Sequence, residues 1–592
     1  MLENTFVPKA IVDKCIEAFD NANSTRIGNI EELVESGQAV RYKYGDQTKI
    51  DAGNFLGSTR DENRNLICYK ANKYYHSLVC ASTGLGKTQT YIIPSLLNLS
   101  GKESAVVVGP KGEEARFAYN YLESVYGKEN VEILNFSNPS CTGVYYNPLY
   151  VYAERYVKSF DLPKEKRIEE QNVLFSDLQK LIASSFPIVT DDPSWSIGAN
   201  GLIEAIIIGL IQDCSLEYLK SSPIYNERGI RKKLTPQEVN FKKVEEVFNE
   251  FSWTTDGGAF GDKNFFSERK DKYARKKAQT ALGATSAGTR SSYLSVASTA
   301  LNNFLNNKVV QVSKYNTLNF SSYQERPKVL FVIYDMNDDV VKTWVNDLIK
   351  NFLNYLNEQA FSGSSGTLKI KTLFFIDEFD SLTPSRTYTN LLATGRSAGL
   401  YLNLCIQSTS QLKRAYKDDY QTIIENTNVN YFLGSNSPET VREHMDNFGT
   451  VEQPDSEQLH YGRIVMKSKP RVSFDQLMFK MKPGDCYIKT LYNLPVFIKM
   501  NFYYNTPEYK KYGTFDPLSI KAPKIIDEKP IQKEIPENKP NFVKASDFMK
   551  KEQDDFKQRM EKARLELERR KQEILRKMKD QLDESDDEED DY

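Results

Sequence analysis

Short apolar runs, each closed by a polar residue or a glycine, mark the first elements that the residue pattern predicts. From Tyr75 onward, "HSLVCAS", "ESAVVVGPKGE" and "VEILNF" are typical of strands, and "TQTYIIPSLLNLS" after the first of them is typical of a helix. Strands that are apolar on both faces and alternate with helices indicate a buried parallel sheet. The pattern therefore predicts an α/β domain beginning near residue 56.

Helical patterning replaces the strands between about residues 155 and 315, for example in "KRIEEQNVLFSDLQKLIASSF" and "IGANGLIEAIIIGLIQD". Strands then return as "KVLFVIYDM", "KTLFFIDEF", "LYLNLCIQS" and "VNYFLGS". Neither group of strands is large enough to form a stable sheet alone, so we predict one α/β domain interrupted by an all-α insertion.

The two ends of the chain have a different texture. A helix is predicted near residues 9–21, and prolines with charges in "KAPKIIDEKPIQKEIPENKPNF" are typical of a solvated linker. The predicted organisation is an N-terminal segment (1–55), the first part of the α/β domain (56–154), the all-α insertion (155–315), the second part of the α/β domain (316–515), a linker (516–545), and a charged helix with a flexible acidic tail (546–592).

Charge placement matters more than the net charge of −2. The last eleven residues, "LDESDDEEDDY", hold eight acidic residues and no basic one, so the body before them carries about +6. A modestly basic body is compatible with a nucleic-acid partner without requiring one. The acidic tail predicts either a docking element for a basic partner or a solubilising end, and the charged helix before it suits a coiled coil or a single solvated helix equally.

Cysteine usage and hydropathy indicate a reduced, cytoplasmic protein. The seven cysteines show no CxxC spacing and the chain has three histidines, which argues against a structural zinc site. The N-terminus lacks the basic-then-apolar pattern of a signal sequence. The most apolar run, "GLIEAIIIGLI", is about half the ~20 residues of a membrane span and carries Glu204, so we predict a buried helix there.

A phosphate-binding loop is the first chemical motif. "TGLGKTQ" after a predicted strand matches the second half of G-x-x-x-x-G-K-[ST], with Ala81 in place of the first glycine. Glycine lets the loop amides point at phosphates, lysine neutralises their charge, and the threonine hydroxyl binds Mg²⁺. Alanine at the first position is tolerated unless it needs a positive φ. The predicted ATP-binding set is Thr83, Gly84, Leu85, Gly86, Lys87, Thr88 and Gln89.

The complementary acidic motif lies at the end of "KTLFFIDEFDSL". Four apolar residues bury the strand, and its carboxyl end presents Asp377 for the Mg²⁺ shell and Glu378 to polarise the attacking water. A glutamate directly after the aspartate favours hydrolysis over nucleotide sensing. We therefore expect Lys87, Asp377 and Glu378 to converge around one magnesium–triphosphate.

Two further polar residues suit a motor. Gln407 ends the next apolar strand, where it would sense the γ-phosphate, and Arg396 in a preceding loop would reach a neighbouring subunit as an arginine finger. A solvent-facing arginine and an ordinary loop glutamine explain the same spacing.

Seven segments in collinear order carry a family resemblance over roughly residues 55–500. They are "STGLGKTQTYIIPSLL", "VVVGPKGEEARFAYNY", "VEILNFSNPSCTGVYYNPL", "DDPSWSIGANGLIEAIIIGL", "FFIDEFDSL", "TGRSAGLYLNLCIQSTSQLKRAY" and "NYFLGSNSPETV". In these segments the chain resembles the coupling-protein ATPases of conjugative type IV secretion systems. The resemblance implies a RecA-like P-loop motor with an all-α insertion.

The same resemblance implies partners and a task. By analogy the protein would act as a homo-hexamer that recruits the relaxase–DNA complex and moves single-stranded DNA towards the secretion channel. It also implies catalytic roles for Lys87, Glu378, Arg396 and Gln407. The family's N-terminal transmembrane helices are missing, so we expect a separate membrane-anchor protein to recruit the chain to the inner face of the membrane; residues 1–50 are a docking element or an ordinary capping helix.

One departure concerns the segment "VVVGPKGEE". Gly109 stands where the family usually has the aspartate of D-P-K-G-E, so no essential carboxylate is expected at that position.

DNA contacts are expected in loops that face the pore of a ring, where basic and aromatic residues serve phosphate contact and stacking. "SERKDKYARKKAQTALG" supplies a basic cluster around Tyr273, although a solvated helix face fits it equally and "TPSRTYTNLLATGRS" is an alternative. The candidate DNA residues are Arg269, Lys270, Lys272, Arg275, Lys276 and Lys277.

Two other functions compete with the ATP-driven coupling protein. One is a chromosome-segregation or packaging translocase, which "GPKGE" and the insertion around Trp195 disfavour. The other is an ATP-binding substrate receptor with little turnover, against which Glu378 argues.

Overall fold

The computed structural model describes most of the chain in side-chain detail. The described residues are 7–22, 27–50, 53–187, 192–221, 233–253, 265–266, 269, 272–282, 287–461, 463–491, 493–523 and 569. They fall into two units, Met1–Pro523 and Lys524–Tyr592, and Arg569 is the described residue of the second. Most of the predicted linker and all but one residue of the charged helix and acidic tail therefore lie outside the described residues.

A nine-stranded sheet forms the centre of the first unit, in the order β14-β13-β10-β4-β9-β8-β5-β7-β6. Its seven strands from β10 to β6 are parallel, and β13 and β14 add an antiparallel edge. A small antiparallel sheet, β1-β3-β2, and a hairpin, β11-β12, complete the strands. The strands are β1 Ala39–Lys43, β2 Phe55–Arg60, β3 Leu66–Ala71, β4 Ser77–Ala81, β5 Ser104–Pro110, β6 Val131–Asn135, β7 Val329–Tyr334, β8 Thr372–Ile376, β9 Leu400–Ile406, β10 Val429–Gly434, β11 Thr450–Pro454, β12 Met466–Pro470, β13 Asp485–Lys489 and β14 Val496–Lys499.

The central strands are apolar because both faces of the sheet are covered. Every residue of β4, β5, β7, β8 and β9 is buried, and two apolar clusters, one on each face, enclose them. This burial explains the continuous apolar runs of the sequence. The predicted α/β fold with a buried, mainly parallel sheet is confirmed.

Helices cover both faces and fill the connection between β6 and β7. The predicted N-terminal helix is confirmed as the first of them. The helices are α1 Lys9–Ala22, α2 Ile30–Glu35, α3 Ile93–Leu96, α4 Glu113–Tyr126, α5 Tyr150–Ser159, α6 Lys164–Ser185, α7 Pro193–Gln212, α8 Leu216–Ser221, α9 Phe241–Trp253, α10 Lys272–Leu282, α11 Ala287–Phe304, α12 Asn307–Val312, α13 Ser322–Glu325, α14 Asp339–Ser362, α15 Arg386–Ala398, α16 Thr409–Tyr416, α17 Tyr420–Asn426, α18 Pro438–Phe448, α19 Ser456–His460 and α20 Pro507–Tyr512.

Helix α7 is the centre of the helical connection. Fourteen of its twenty residues are buried, and α10, α11, α9 and α6 pack around it. Within the described residues it is the one helix long and apolar enough to cross a membrane, and 72% of that apolar window is buried inside the protein. The predicted buried helix is thus confirmed, with Glu204 itself 4% exposed.

Candidate nucleotide-binding site

The loop between β4 and the next helix has the backbone of a phosphate cradle. Gly84 and Gly86 adopt φ values of +86° and +87°, which side chains other than hydrogen disfavour. Ala81 instead lies inside β4, paired with Gly434 in extended conformation, so alanine fits the first position as expected. Backbone N–H groups at the start of a helix attract anions, and here one turn of π-helix, Thr88–Ile92, follows the loop.

Lys87 lies between two carboxylates from β8. Its Nζ is 2.8 Å from Asp377 Oδ1 and 3.0 Å from Glu378 Oε1, and its side chain is 9% exposed. Burial alone lowers the pKa of Lys87, but the negative charges of Asp377, and after it Glu378, outweigh burial and raise that pKa. The ammonium therefore stays charged. The structure brings together the three side chains that the sequence placed at one site.

The two predicted magnesium ligands, Thr88 and Asp377, bring side-chain oxygens close to each other. Thr88 Oγ1 lies 3.4 Å from Asp377 Oδ2. Both are hard oxygen ligands of the kind that Mg²⁺ takes beside nucleotide phosphates. The residues present therefore fit a magnesium–nucleotide complex at the carboxyl edge of the sheet.

Glu378 occupies a conformation that few non-glycine residues adopt, with φ +52° and ψ +42°. A left-handed residue costs about 1–2 kcal/mol, and such strain clusters at functional sites. Its carboxylate is held from two sides: Lys87 contacts Oε1, and Gln407 Nε2 donates to Oε2 at 2.7 Å. Asp380 fixes Gln407 in turn, because the Gln407 backbone N–H donates to its Oδ2 at 3.2 Å. Gln407 thus reaches the site at the tip of β9.

Arg396 lies away from this cluster of side chains, and the prediction that it lies in a loop is wrong. Helix α15 starts after β8 at the site edge and runs back until Gly399, at φ +87°, ends it before β9. Arg396 is in the last turn, at the amino edge of the sheet, where it donates to Asn428 Oδ1 at 3.2 Å. It is therefore distant from Lys87 of its own chain. A finger function on a neighbouring subunit stays a prediction.

Glu114 is a residue near the site that the sequence reasoning missed. It lies in the first turn of α4 and is 3% exposed, and its carboxyl group occupies the space beside Gly109. Burial and, second, the charge of Asp377 raise the pKa of Glu114 to about 8. The signal available in the sequence was the combination of a glycine at 109 with a second glutamate at 114.

An aromatic pair also contacts the phosphate loop without having been predicted. A Cβ built on Gly86 would lie 3.1 Å from Phe502 Cε1, so the ring packs directly on the loop. Phe502 stacks on Tyr504 with ring centroids 5.2 Å apart. These residues follow β14, far along the chain from the loop, and no local motif announces them.

The six candidate DNA residues separate into different environments. Arg275 and Lys276 are exposed on α10, whereas Lys277 pairs with Glu204 at 3.0 Å. Lys272 begins α10, and Lys270 lies outside the described residues.

Arg269 requires a correction. Its side chain is fully buried, and it donates to both oxygens of Asp213 at 3.1 and 2.9 Å. The charge pattern suggested a surface contact, but the side chain serves a buried ion pair and is inaccessible to DNA.

Comparison with known proteins places these features in context. The model of the type IV secretory system conjugative DNA transfer family matches residues 33–456. No curated protein sequence matches the chain significantly.

Solved structures that resemble the chain include forms of the conjugative coupling protein TrwB and VirB4. The unbound bacterial conjugative coupling protein TrwBΔN70 has 19% identity and a TM-score of 0.49, covering 73% of this chain and 87% of that one. TrwB in complex with ADP and Mg²⁺ has 18% identity and a TM-score of 0.47, with coverage of 73% and 87%. VirB4 of Thermoanaerobacter pseudethanolicus has 13% identity and a TM-score of 0.39, covering 78% and 99%.

Proposed function

The chain belongs to the type IV secretory system conjugative DNA transfer family, and from this premise we propose that it is the ATP-driven coupling protein of a conjugative secretion machine. The observation that carries the ATPase proposal is the position of the Lys87 ammonium, which lies within 3.0 Å of a carboxylate oxygen of both Asp377 and Glu378. An adaptor that only binds nucleotide has no need of a strained glutamate held at that point.

The chain's own residues divide the work of hydrolysis. The loop amides and Lys87 bind the phosphates, and Thr88 and Asp377 would hold a magnesium ion. When bound, magnesium would supply positive charge to the phosphate oxygens. Glu378 orients and polarises the attacking water, a role worth about 10²–10⁴ in rate. Gln407, bonded to Glu378, relays loss of the γ-phosphate to β9.

Transport of DNA is the proposed use of this energy. A homo-hexameric ring would draw single-stranded DNA through its pore, with Arg275 and Lys276 among the exposed cations available for phosphates. Arg396 of one subunit would complete the site of its neighbour. Relaxase, channel components and a membrane-anchor protein are the proposed partners, and the anchor would hold the motor at the inner face of the membrane.

The test compares ATP binding, ATP hydrolysis and plasmid transfer. Lys87→Ala should abolish nucleotide binding, and Glu378→Gln should bind ATP normally while hydrolysis falls by about 10²–10⁴-fold. Exposed Lys128 and Glu439 provide the matched controls Lys128→Ala and Glu439→Gln, which should behave as wild type.

Three outcomes discriminate the alternatives. Stimulation of hydrolysis by single-stranded DNA supports the coupling motor, whereas equal stimulation by duplex DNA favours a segregation translocase. Normal plasmid transfer by Glu378→Gln would favour the receptor with little turnover and contradict the proposal.

A further inference from the structure

The turn between β5 and α4 places an acidic side chain against the end of a central strand. Lys111 and Gly112 both have left-handed backbone, with φ values of +79° and +72°. Two such residues in succession reverse the chain sharply, so that α4 begins at Glu113 immediately above the strand end. Glu114, one residue into the helix, therefore points back over Gly109.

The carboxyl group of Glu114 fills the volume that a side chain at position 109 would need. A Cβ built on Gly109 would lie 2.1 Å from Glu114 Oε2, 2.4 Å from its Cδ and 2.7 Å from its Oε1. Real Cβ atoms do not approach other atoms so closely, so a side chain at 109 and this position of the Glu114 carboxyl exclude one another. Glycine at 109 is thus the condition for Glu114 to reach this point.

The filled volume borders the proposed magnesium–nucleotide site. Strand β5 is the neighbour of β8, and the Asp377 backbone N–H donates to the Val108 carbonyl at 2.9 Å, one residue before Gly109. Asp377 and Lys87 both act electrostatically on Glu114. Gly109, and with it the Glu114 carboxyl group, therefore lies on the side of β8 away from β9.

A purely structural role explains this arrangement poorly. Burying a carboxyl group is costly unless charges or hydrogen bonds compensate it, and an apolar side chain would fill the same volume at lower cost. For Glu114, the compensation within the described residues is a hydrogen bond from its own backbone N–H and the charge of Lys87, which itself contacts Asp377 and Glu378. The surroundings of Glu114 are those of a group that serves the nucleotide site.

We infer that Glu114 is a positioning residue of the magnesium–nucleotide site, supplying from α4 the carboxyl group that Gly109 does not. This inference rests on the proposed ATPase function. When a magnesium ion is bound, the carboxyl group would accept hydrogen bonds from its water and help to hold Asp377 in place. Magnesium in such sites keeps several waters and few direct protein ligands, which gives an outer carboxyl a defined partner.

The experiment measures the magnesium dependence of binding of a fluorescent ADP analogue. Glu114→Gln keeps the shape and replaces one carboxyl oxygen with an amide nitrogen, and it should raise the half-saturating Mg²⁺ concentration by about 10–100-fold while binding without Mg²⁺ stays unchanged. Glu123→Gln, at the other end of α4, is the control and should match wild type. The thermal midpoint of each variant shows that it is folded.

A reciprocal exchange tests the geometry itself. Gly109→Asp alone should lose the wild-type magnesium dependence of binding, because two carboxyl groups compete for one volume. Glu114→Ala alone should raise the half-saturating Mg²⁺ concentration as Glu114→Gln does. The double variant Gly109→Asp/Glu114→Ala should recover magnesium dependence to within a few-fold of wild type.

The outcomes separate this inference from the function on which it rests. Wild-type protein that fails to bind the analogue in a magnesium-dependent way overturns both. Magnesium-dependent binding by wild type, together with an unchanged half-saturating concentration in folded Glu114→Gln, overturns the role of Glu114 alone.

Discussion

Arg269→Ala distinguishes a buried structural cation from a DNA contact. The guanidinium is fully buried, bonds both oxygens of Asp213 and lies 4.1 Å from the centroid of the Phe265 ring. Removing one partner of such a buried pair costs about 3–5 kcal/mol, because the remaining carboxylate loses its guanidinium without regaining water. We therefore expect the free energy of unfolding to fall by about that amount.

The assay is equilibrium urea unfolding followed by tryptophan fluorescence, to which Trp195 on α7 contributes a signal from the helical insertion. Lys276→Ala is the matched control, since Lys276 is exposed on α10; it should change stability by less than about 0.5 kcal/mol. A double variant, Arg269→Met with Asp213→Leu, should recover much of the loss because replacing both charges avoids an uncompensated carboxylate.

Single-stranded DNA binding supplies the refuting result. Arg269→Ala should retain wild-type DNA affinity below its unfolding transition. A variant with unchanged unfolding but weakened, salt-dependent DNA binding would show that the guanidinium reaches phosphates, contrary to its burial.

Three further predictions address the loop, the strand tip and the sheet edge. Gly86→Ala should lose nucleotide affinity more than Gly84→Ala, because both need a positive φ but only a Cβ at position 86 would crowd Phe502, at 3.1 Å from its Cε1. Isothermal titration calorimetry compares the two variants, and equal losses would refute the steric argument. Gln407→Ala should retain ATP binding and lower turnover by about 100-fold, measured by phosphate release, and unchanged turnover would contradict its role. Burial and, second, the positive charge of Arg396 lower the pKa of His76 to about 4. The stability that buried, neutral His76 gives the fold is complete above its ordinary pKa near 6.5. It is lost as pH falls towards 4, by up to about 1.4 kcal/mol per pH unit. His76→Gln should flatten urea-derived stability over that range, and an unchanged slope would refute the assignment.

The convergence of Lys87 with the carboxylates of β8 was predictable from sequence for a physical reason. Strands buried on both faces can be recognised in the sequence as apolar runs, and parallel strands bring their carboxyl ends to one edge of the sheet. Residues nearly three hundred positions apart in the chain therefore had to meet if the motif assignment was right. The position of Gln407 at the carboxyl end of β9 was predictable from the same rule.

The errors and omissions share another cause. Arg269 and its partner Asp213 are 56 residues apart, and nothing in "SERKDKYARKK" distinguishes a buried cation from its exposed neighbours. Arg396 was predicted to lie in a loop, but Gly395 beside it is buried inside the helix, which ends only at Gly399. Glu114 was missed because its carboxyl group reaches the space beside Gly109 only through the turn between β5 and α4, which the residue pattern does not reveal.

The helical insertion connects two neighbouring strands at one edge of the sheet. Strands β6 and β7 are the outermost pair, and a simple connection between parallel neighbours needs only a dozen or so residues. Here that single crossover is a helical body, while the parallel pairs β4–β9, β5–β7, β5–β8 and β8–β9 keep an unbroken register. Because the entropy of loop closure rises only slowly with length, this connection can lengthen or shorten at little thermodynamic cost without disturbing the strands of the sheet.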